Sequence, residues 1–217
     1  MKLVIAITGA SGARYAQRAL ELLSQVCGPQ TQDPRPGTDS GAGPGLGNDA
    51  RKPALEVHWV ASATAASVWQ TEIGTPMPDQ VAGLTRWDRH DFSAPFASGS
   101  NAPDAVVLLP CSMSNLARVA NGGGDDLVSR ACEVALKERR RLILVVRETP
   151  LSLVHLRNMV AATEAGAIIL PAVPSFYAGV ETLAQAIDTV ISRVFDRAGI
   201  SELGPAFDIA PRWGASA

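Results

Sequence analysis

Cysteine is scarce in this chain, with only Cys27, Cys111 and Cys132 among 217 residues, an odd number without C-x-x-C spacing. That pattern argues against a disulfide framework or a zinc site and fits a reducing compartment, so no metal and a cytoplasmic location are expected. An excess of one charge is also missing. Nineteen Lys and Arg face 21 Asp and Glu, for a net charge of −2, so the chain as a whole draws neither nucleic acid nor an anionic membrane, and any basic site must be local. Long apolar runs are absent too. The opening M-K-L-V-I-A-I-T-G is too short for a signal peptide and no segment reaches the length of a membrane span. What the chain does have is 47% hydrophobic residues, enough for the core of a single domain over 1–217 with a tail at 201–217.

Apolar runs alternate with helical patterns along the chain. Leu3–Ile7 reads as a strand, T-G-A-S-G-A as a tight turn and Arg14–Val26 as a helix. Residues Gly28–Pro53 hold six Gly and five Pro with scarcely any large apolar side chain, so they are expected to be a disordered surface insertion. Leu55–Ala61 follows as a strand, Thr64–Glu72 as a helix and Asp79–Ala102 as a loop-rich stretch. Ala105–Leu109 and Leu142–Val146 read as buried strands, with helices around Leu116–Ala120, Asp126–Glu138 and Ser152–Ala165. A strand at Ala167–Leu170, a strand ending at Pro174–Tyr177 and a last helix at Val180–Ala198 complete the reading. The alternation predicts an α/β, Rossmann-like or flavodoxin-like three-layer fold with a central parallel sheet.

Three places could hold an anion. Gly9-Ala10-Ser11-Gly12 offers backbone N–H groups and a helix N-terminus to a phosphate, although it lacks the full G-x-G-x-x-G of dinucleotide folds and is no G-x-S-x-G elbow. Pro110-Cys111-Ser112-Met113-Ser114-Asn115 is a second polar turn at a strand end, with Ser112 a helix cap. In V-A-L-K-E-R-R-R-L-I-L-V-V-R-E-T-P a basic helix end runs into a buried strand, and Arg147 and Glu148 stand at its carboxyl end, where ligands of open α/β sheets collect. His58, His90 and His155 share no ligand spacing and read as structural. Arg193, sixteen residues beyond Tyr177, either pairs with a carboxylate or reaches an anion beside Tyr177.

T-G-A-S-G, A-S-G-S, P-C-S-M-S, R-A-C-E-V-A-L-K-E-R-R-R-L-I-L-V-V-R-E-T-P-L, H-L-R-N-M, G-A-I-I-L-P-A-V-P-S-F-Y and P-R-W-G together resemble the UbiX-type flavin prenyltransferases over essentially the whole chain outside the insertion. The resemblance implies transfer of the dimethylallyl group of dimethylallyl phosphate to N5 and C6 of reduced FMN. The prenylated FMN so made serves a UbiD-type decarboxylase, in ubiquinone synthesis among other routes. It implies that Gly9, Ala10, Ser11, Ser62, Ser112, Met113, Ser114, Asn115 and Arg147 hold FMN. Around the allylic phosphate it places Ser98, Gly99, Arg130, Lys137, Arg147, Glu148, Tyr177 and Arg193, with Trp213 closing the site. The catalytic residues it points to are Glu148, Lys137, Arg130 and Ser11. It further implies a homododecamer with sites shared between subunits, the segment Arg130–Arg141 reaching a neighbour.

The chemistry asks for these residue types. Loss of an allylic phosphate gathers negative charge on oxygen and positive charge on carbon, so a metal-free site needs several cations at one end and an apolar, π-rich, dry wall at the other. Glu148 is assigned to proton shuttling during ring closure, with phosphate as partner base. Relatives often carry Trp before A-S-G-S where this chain has Phe92, which leaves Phe92 or nearby Trp87 to line the prenyl pocket. Three other readings were open. An FMN-dependent cysteine decarboxylase lacks its P-x-M-N-x-x-M-W motif here, a non-catalytic FMN carrier has no use for a second phosphate site, and a nicotinamide reductase lacks its glycines and ribose-binding acid.

Overall fold

The computed structural model describes residues 1–28, 55–177 and 179–214. The expected insertion therefore lies, apart from Gly28, outside the described residues. Six parallel strands, β1 (Lys2–Ile7), β2 (Glu56–Ala61), β3 (Leu84–Trp87), β4 (Ala105–Cys111), β5 (Arg141–Val146) and β6 (Ile168–Ile169), form one sheet in the order β3-β2-β1-β4-β5-β6. The order reverses at β1, so a crevice opens between the carboxyl ends of β1 and β4, where this class of sheet takes its ligands.

The sheet is buried on both faces because its central strands β1, β4 and β5 are apolar at every position after the leading Lys2 of β1 and Arg141 of β5. Leu3, Ile5 and Ile7 of β1 face one cluster with Ala16, Leu20 and Leu23 of α1 (Ala13–Cys27) and Val190, Val194 and Phe195 of α6 (Leu183–Ala198). Val4 and Ala6 face the other, with Leu116 of α3 (Met113–Asn121), Leu127, Ala131 and Cys132 of α4 (Leu127–Lys137) and Ala162 of α5 (Leu153–Glu164). This period of two through a buried strand yields the three layers. The remaining helix, α2 (Ala65–Ile73), packs on α1 and buries Trp69.

Local chemistry sets the helix boundaries. Ser112 starts α3 by accepting the N–H of Asn115, as its expected cap role requires, and Asp126 does the same for Ser129 at α4. Capping boxes Ser152/His155 and Thr182/Gln185 open α5 and α6, so the last helix begins at Leu183 rather than Val180. His155 is thereby a capping residue. Two strand readings are corrected. The stretch 79–102 contains β3, and Pro174–Tyr177 ends no strand, because β6 is only two residues long.

Candidate active site

Thr8, 2% exposed at the end of β1, ties the two sides of the crevice together. Its hydroxyl donates to the carbonyl of Pro110 at 2.7 Å and accepts the N–H of Ser112 at 3.0 Å, so the turns after β1 and β4 move as one. Helix geometry leaves the first-turn N–H groups of α3 without intrahelical acceptors. Ser112 Oγ takes that of Asn115 together with its side-chain amide, at 3.3 and 2.9 Å, and those of Met113 and Ser114 stay available to an anion. Cys111, buried between these turns, has its thiol pushed well up by burial, and Cys132 is pushed up to about 12, so neither is a nucleophile at neutral pH.

The β1 turn departs from its sequence reading. The N–H groups of Gly12 and Ala13 are already taken. Glu72, near the end of α2, accepts Gly12 N–H at 3.0 and 2.9 Å and Ala13 N–H at 2.7 Å, placing a carboxylate at the positive end of α1. Burial pushes the Glu72 carboxyl up, but the Ser11 hydroxyl, these two N–H groups and the charge of Arg147 outweigh it and hold the group below its ordinary range. Sequence reasoning missed Glu72. An acid on a surface helix carries no signal that it folds back onto a turn sixty residues away.

Ser11, Gly12, Tyr15, Glu72 and Arg147 share one cavity of about 420 Å³. Arg147 is fixed from its backbone, N–H to the carbonyl of Cys111 at 3.3 Å, and Glu148 beside it is exposed, with one oxygen accepting the N–H of Thr149 at 2.9 Å. Burial raises the Tyr15 phenol and Arg147 opposes the shift. At the end of β2, Ser62 donates its N–H to Ile7 at 2.8 Å, while its hydroxyl is buried without a hydrogen-bond partner. A buried hydroxyl with no partner is costly unless a ligand answers it. Gly9 comes so close to Thr64 that a Cβ there would collide with the threonine side chain, so the backbone can lie flat along the crevice. Trp87 lines a cavity with Ser62, its indole N–H donating to Nδ1 of His58 at 3.1 Å, whereas Phe92 stands 50% exposed on the following loop.

The remaining candidates fall into two further groups. Arg130 donates from Nε to the carbonyl of Ala97 at 2.9 Å and lies 3.5 Å from Glu133, and Lys137, paired with Glu138, packs against Gly99 next to Ser98. Tyr177, Arg193 and Trp213 line a cavity of about 380 Å³ with Ser175, Asp196 and Arg212. Arg193 is exposed on α6, lies 3.2 Å from Asp196, the kind of carboxylate one of its two readings called for, and lines the same cavity as Tyr177. The one chain thus brings Ser11 and Arg147 into one cavity, leaves Glu148 exposed beside Arg147, and keeps Arg130 and Lys137 in a separate group.

Among the described residues no helix is long and apolar enough to cross a membrane. The Flavoprotein family model matches residues 49–196. Flavin prenyltransferase UbiX of Pseudomonas aeruginosa is 36% identical over 98% of this chain and 94% of its own length. A crystal structure of AnUbiX (PadA1) in complex with FMN and dimethylallyl pyrophosphate superposes with a TM-score of 0.77 at 33% identity, covering 100% of this chain and 98% of that one. A dodecameric FMN-dependent Ubix-like decarboxylase from Escherichia coli O157:H7 gives 0.78 at 33%, covering 99% and 100%. With this sheet order, this crevice and these likenesses, the chain belongs to the flavin prenyltransferases of the Flavoprotein family.

Proposed function

We propose that this single-domain protein joins the dimethylallyl group of dimethylallyl phosphate to N5 and C6 of reduced FMN. What supports the reading is two separate arrangements suited to an anion, the N-terminus of α3 in the crevice and the arginine-lined cavity below Trp213, with Arg147 on the crevice side. One phosphate belongs to the flavin and the other to the prenyl donor. A flavin carrier needs only the first.

The residues present fit FMN. Met113 and Ser114 offer N–H groups to its phosphate, Ser62 has a buried hydroxyl awaiting a partner, and Gly9, Ala10 and Ser11 supply a flat backbone along the crevice. Reduced flavin provides the nucleophilic nitrogen and ring carbon. Arg147, Arg193, Lys137 and Arg130 answer the charge that grows on the phosphate as the allylic C–O bond breaks and its electron pair leaves on oxygen. Tyr177 and Ser98 orient the same phosphate beside Gly99, and Trp213 excludes water. Glu148, with the departing phosphate, takes the proton released from C6 on ring closure, and Ser11, on the turn that Glu72 holds through Gly12 and Ala13, keeps the reacting edge in place.

Copies of the chain complete this set. The exposed apolar residues Leu153, Val154, Leu156 and Val160 make a stripe on α5, and Val173 and Phe176 add to it, which suits burial in a homododecamer. In that assembly Arg130 and Lys137 of one copy serve the phosphate of another. The product passes to a UbiD-type decarboxylase in the cytoplasm, where the free thiols of Cys27, Cys111 and Cys132 stay reduced.

The test is anaerobic incubation with reduced FMN and dimethylallyl phosphate, followed by mass spectrometry of the released flavin. A flavin heavier by one C5H8 unit, made only with the prenyl donor, is the expected result. Tightly bound but unmodified FMN overturns the proposal.

A further inference from the structure

The described part of the C-terminal tail turns back over α6, and beyond Ile209, which still packs on the core, it has little apolar anchorage. Phe207, 2% exposed, packs edge-on against Phe195 at 5.5 Å and pins the first part of the tail to the core. Beyond it Arg212 makes the polar ties. Its guanidinium donates to both oxygens of Asp196, at 3.1 and 2.9 Å, and from Nε to Asp208 at 2.9 Å. The next residue, Trp213, is 82% exposed and stands edge-on to Tyr177 with ring centroids 5.2 Å apart. Where Trp213 sits therefore depends on Arg212.

Asp196 is the hub of this arrangement. Its side chain is only 10% exposed, and besides Arg212 it accepts from Ser201 at 2.7 Å and Arg193 at 3.2 Å. One carboxylate thus orients the arginine assigned to the prenyl phosphate and holds the arginine that precedes the closing tryptophan. Exposed ion pairs contribute little, but a fork on a largely buried carboxylate fixes geometry as well as charge.

We infer that Asp196 and Arg212 form a latch that seats the tail over the arginine cavity, making both of them positioning residues for Arg193 and Trp213. The inference rests on the cavity being the prenyl phosphate site. The latch then has a chemical purpose. An allylic carbon losing phosphate is open to water, which would form a C–O bond there, release a proton and give dimethylallyl alcohol and inorganic phosphate instead of prenylated flavin. Closure by Trp213 keeps that water out.

The experiment compares the full-length wild type with Asp196→Asn, Arg212→Gln and the double variant. Asp196→Asn keeps the shape but loses the charge, and if it fails to fold, Arg212→Gln, at an exposed position, carries the same test. Amide hydrogen exchange over residues 205–214 is read without any substrate and should speed up about tenfold in each variant, with the double variant no worse than either single one. In turnover, KM for dimethylallyl phosphate should rise about five- to tenfold with kcat within about twofold, and the share of prenyl donor lost as dimethylallyl alcohol should increase. Arg212→Lys, which keeps charge without the fork, should fall between. Unchanged tail exchange overturns the latch whatever happens in turnover. Faster exchange with unaltered KM and alcohol release overturns the positioning role. A wild type that makes no prenylated flavin refutes the proposed function and the positioning role with it, while the exchange result still decides the latch.

Discussion

Glu72→Gln is the substitution that bears most directly on how the crevice is built. The wild-type carboxylate accepts Gly12 N–H with both oxygens and Ala13 N–H with one. An amide keeps one acceptor and turns an NH2 toward donors. A hydrogen bond to a charged group nets about 1.5–3 kcal/mol and a neutral one about 0.5–1.5 kcal/mol, so losing the charge on one and the acceptor on another costs about 2.5–4.5 kcal/mol. For a chain of this size, at about 2–4 °C per kcal/mol, that lowers Tm by about 5–18 °C. The assay is a thermal melt at pH 7 beside an FMN titration, and affinity should fall several-fold because the turn that carries Ser11 loses its anchor at Gly12 and Ala13. The pH dependence gives a second readout. A carboxyl held below its ordinary 4.5 contributes stability that is full above that value and is lost as pH falls through the folded-state value, so wild type and variant should converge in acid. An unchanged Tm with unchanged FMN affinity would refute the claim that this carboxylate holds the turn.

Other outcomes follow from the same geometry. His58 is 4% exposed and held below its ordinary 6.5 chiefly by burial, partly offset by Glu56. The unfolded chain then binds the extra proton first, so urea midpoints should drop as pH is lowered through about 6.5 and continue to drop until the folded-state value, a slope that His58→Asn should flatten. Glu148→Gln, followed by mass spectrometry of single-turnover products, should slow appearance of the ring-closed flavin without weakening FMN binding; an unaltered rate would remove Glu148 from proton transfer. Phe195→Ala empties a fully buried position on α6 and should cost about 3–5 kcal/mol in denaturant unfolding, loosening the Phe207 contact with it.

The sequence made the central strands legible because apolar residues fill every position from Leu3 to Ile7 and from Leu142 to Val146, a pattern that only a doubly covered strand sustains. It hid β3 because Leu84–Trp87 is a short edge strand with Thr85 and Arg86 exposed and turn residues on either side. Ser112 could be read as a cap from its place between strand and helix. Glu72 could not, since its role comes from the packing of α2 on α1 and from nothing within its own neighbourhood. The grouping of Arg130 and Lys137 away from Arg147 was equally hidden, because Arg130 is held at the carbonyl of Ala97 and Lys137 at Gly99, contacts with a distant loop that leave no local signature.

The two strands at the margins of the sheet, β3 and β6, are four and two residues long. Free backbone donors and acceptors at a sheet margin invite another polypeptide to add itself as a further strand, and a stub this short offers too few rungs for that. Strand-by-strand growth is thereby disfavoured at both margins of the sheet. Partial unfolding that frays β6 would uncover β5, with its continuous run of Leu142 to Val146, and that strand is where uncontrolled fibrous stacking of this protein would begin.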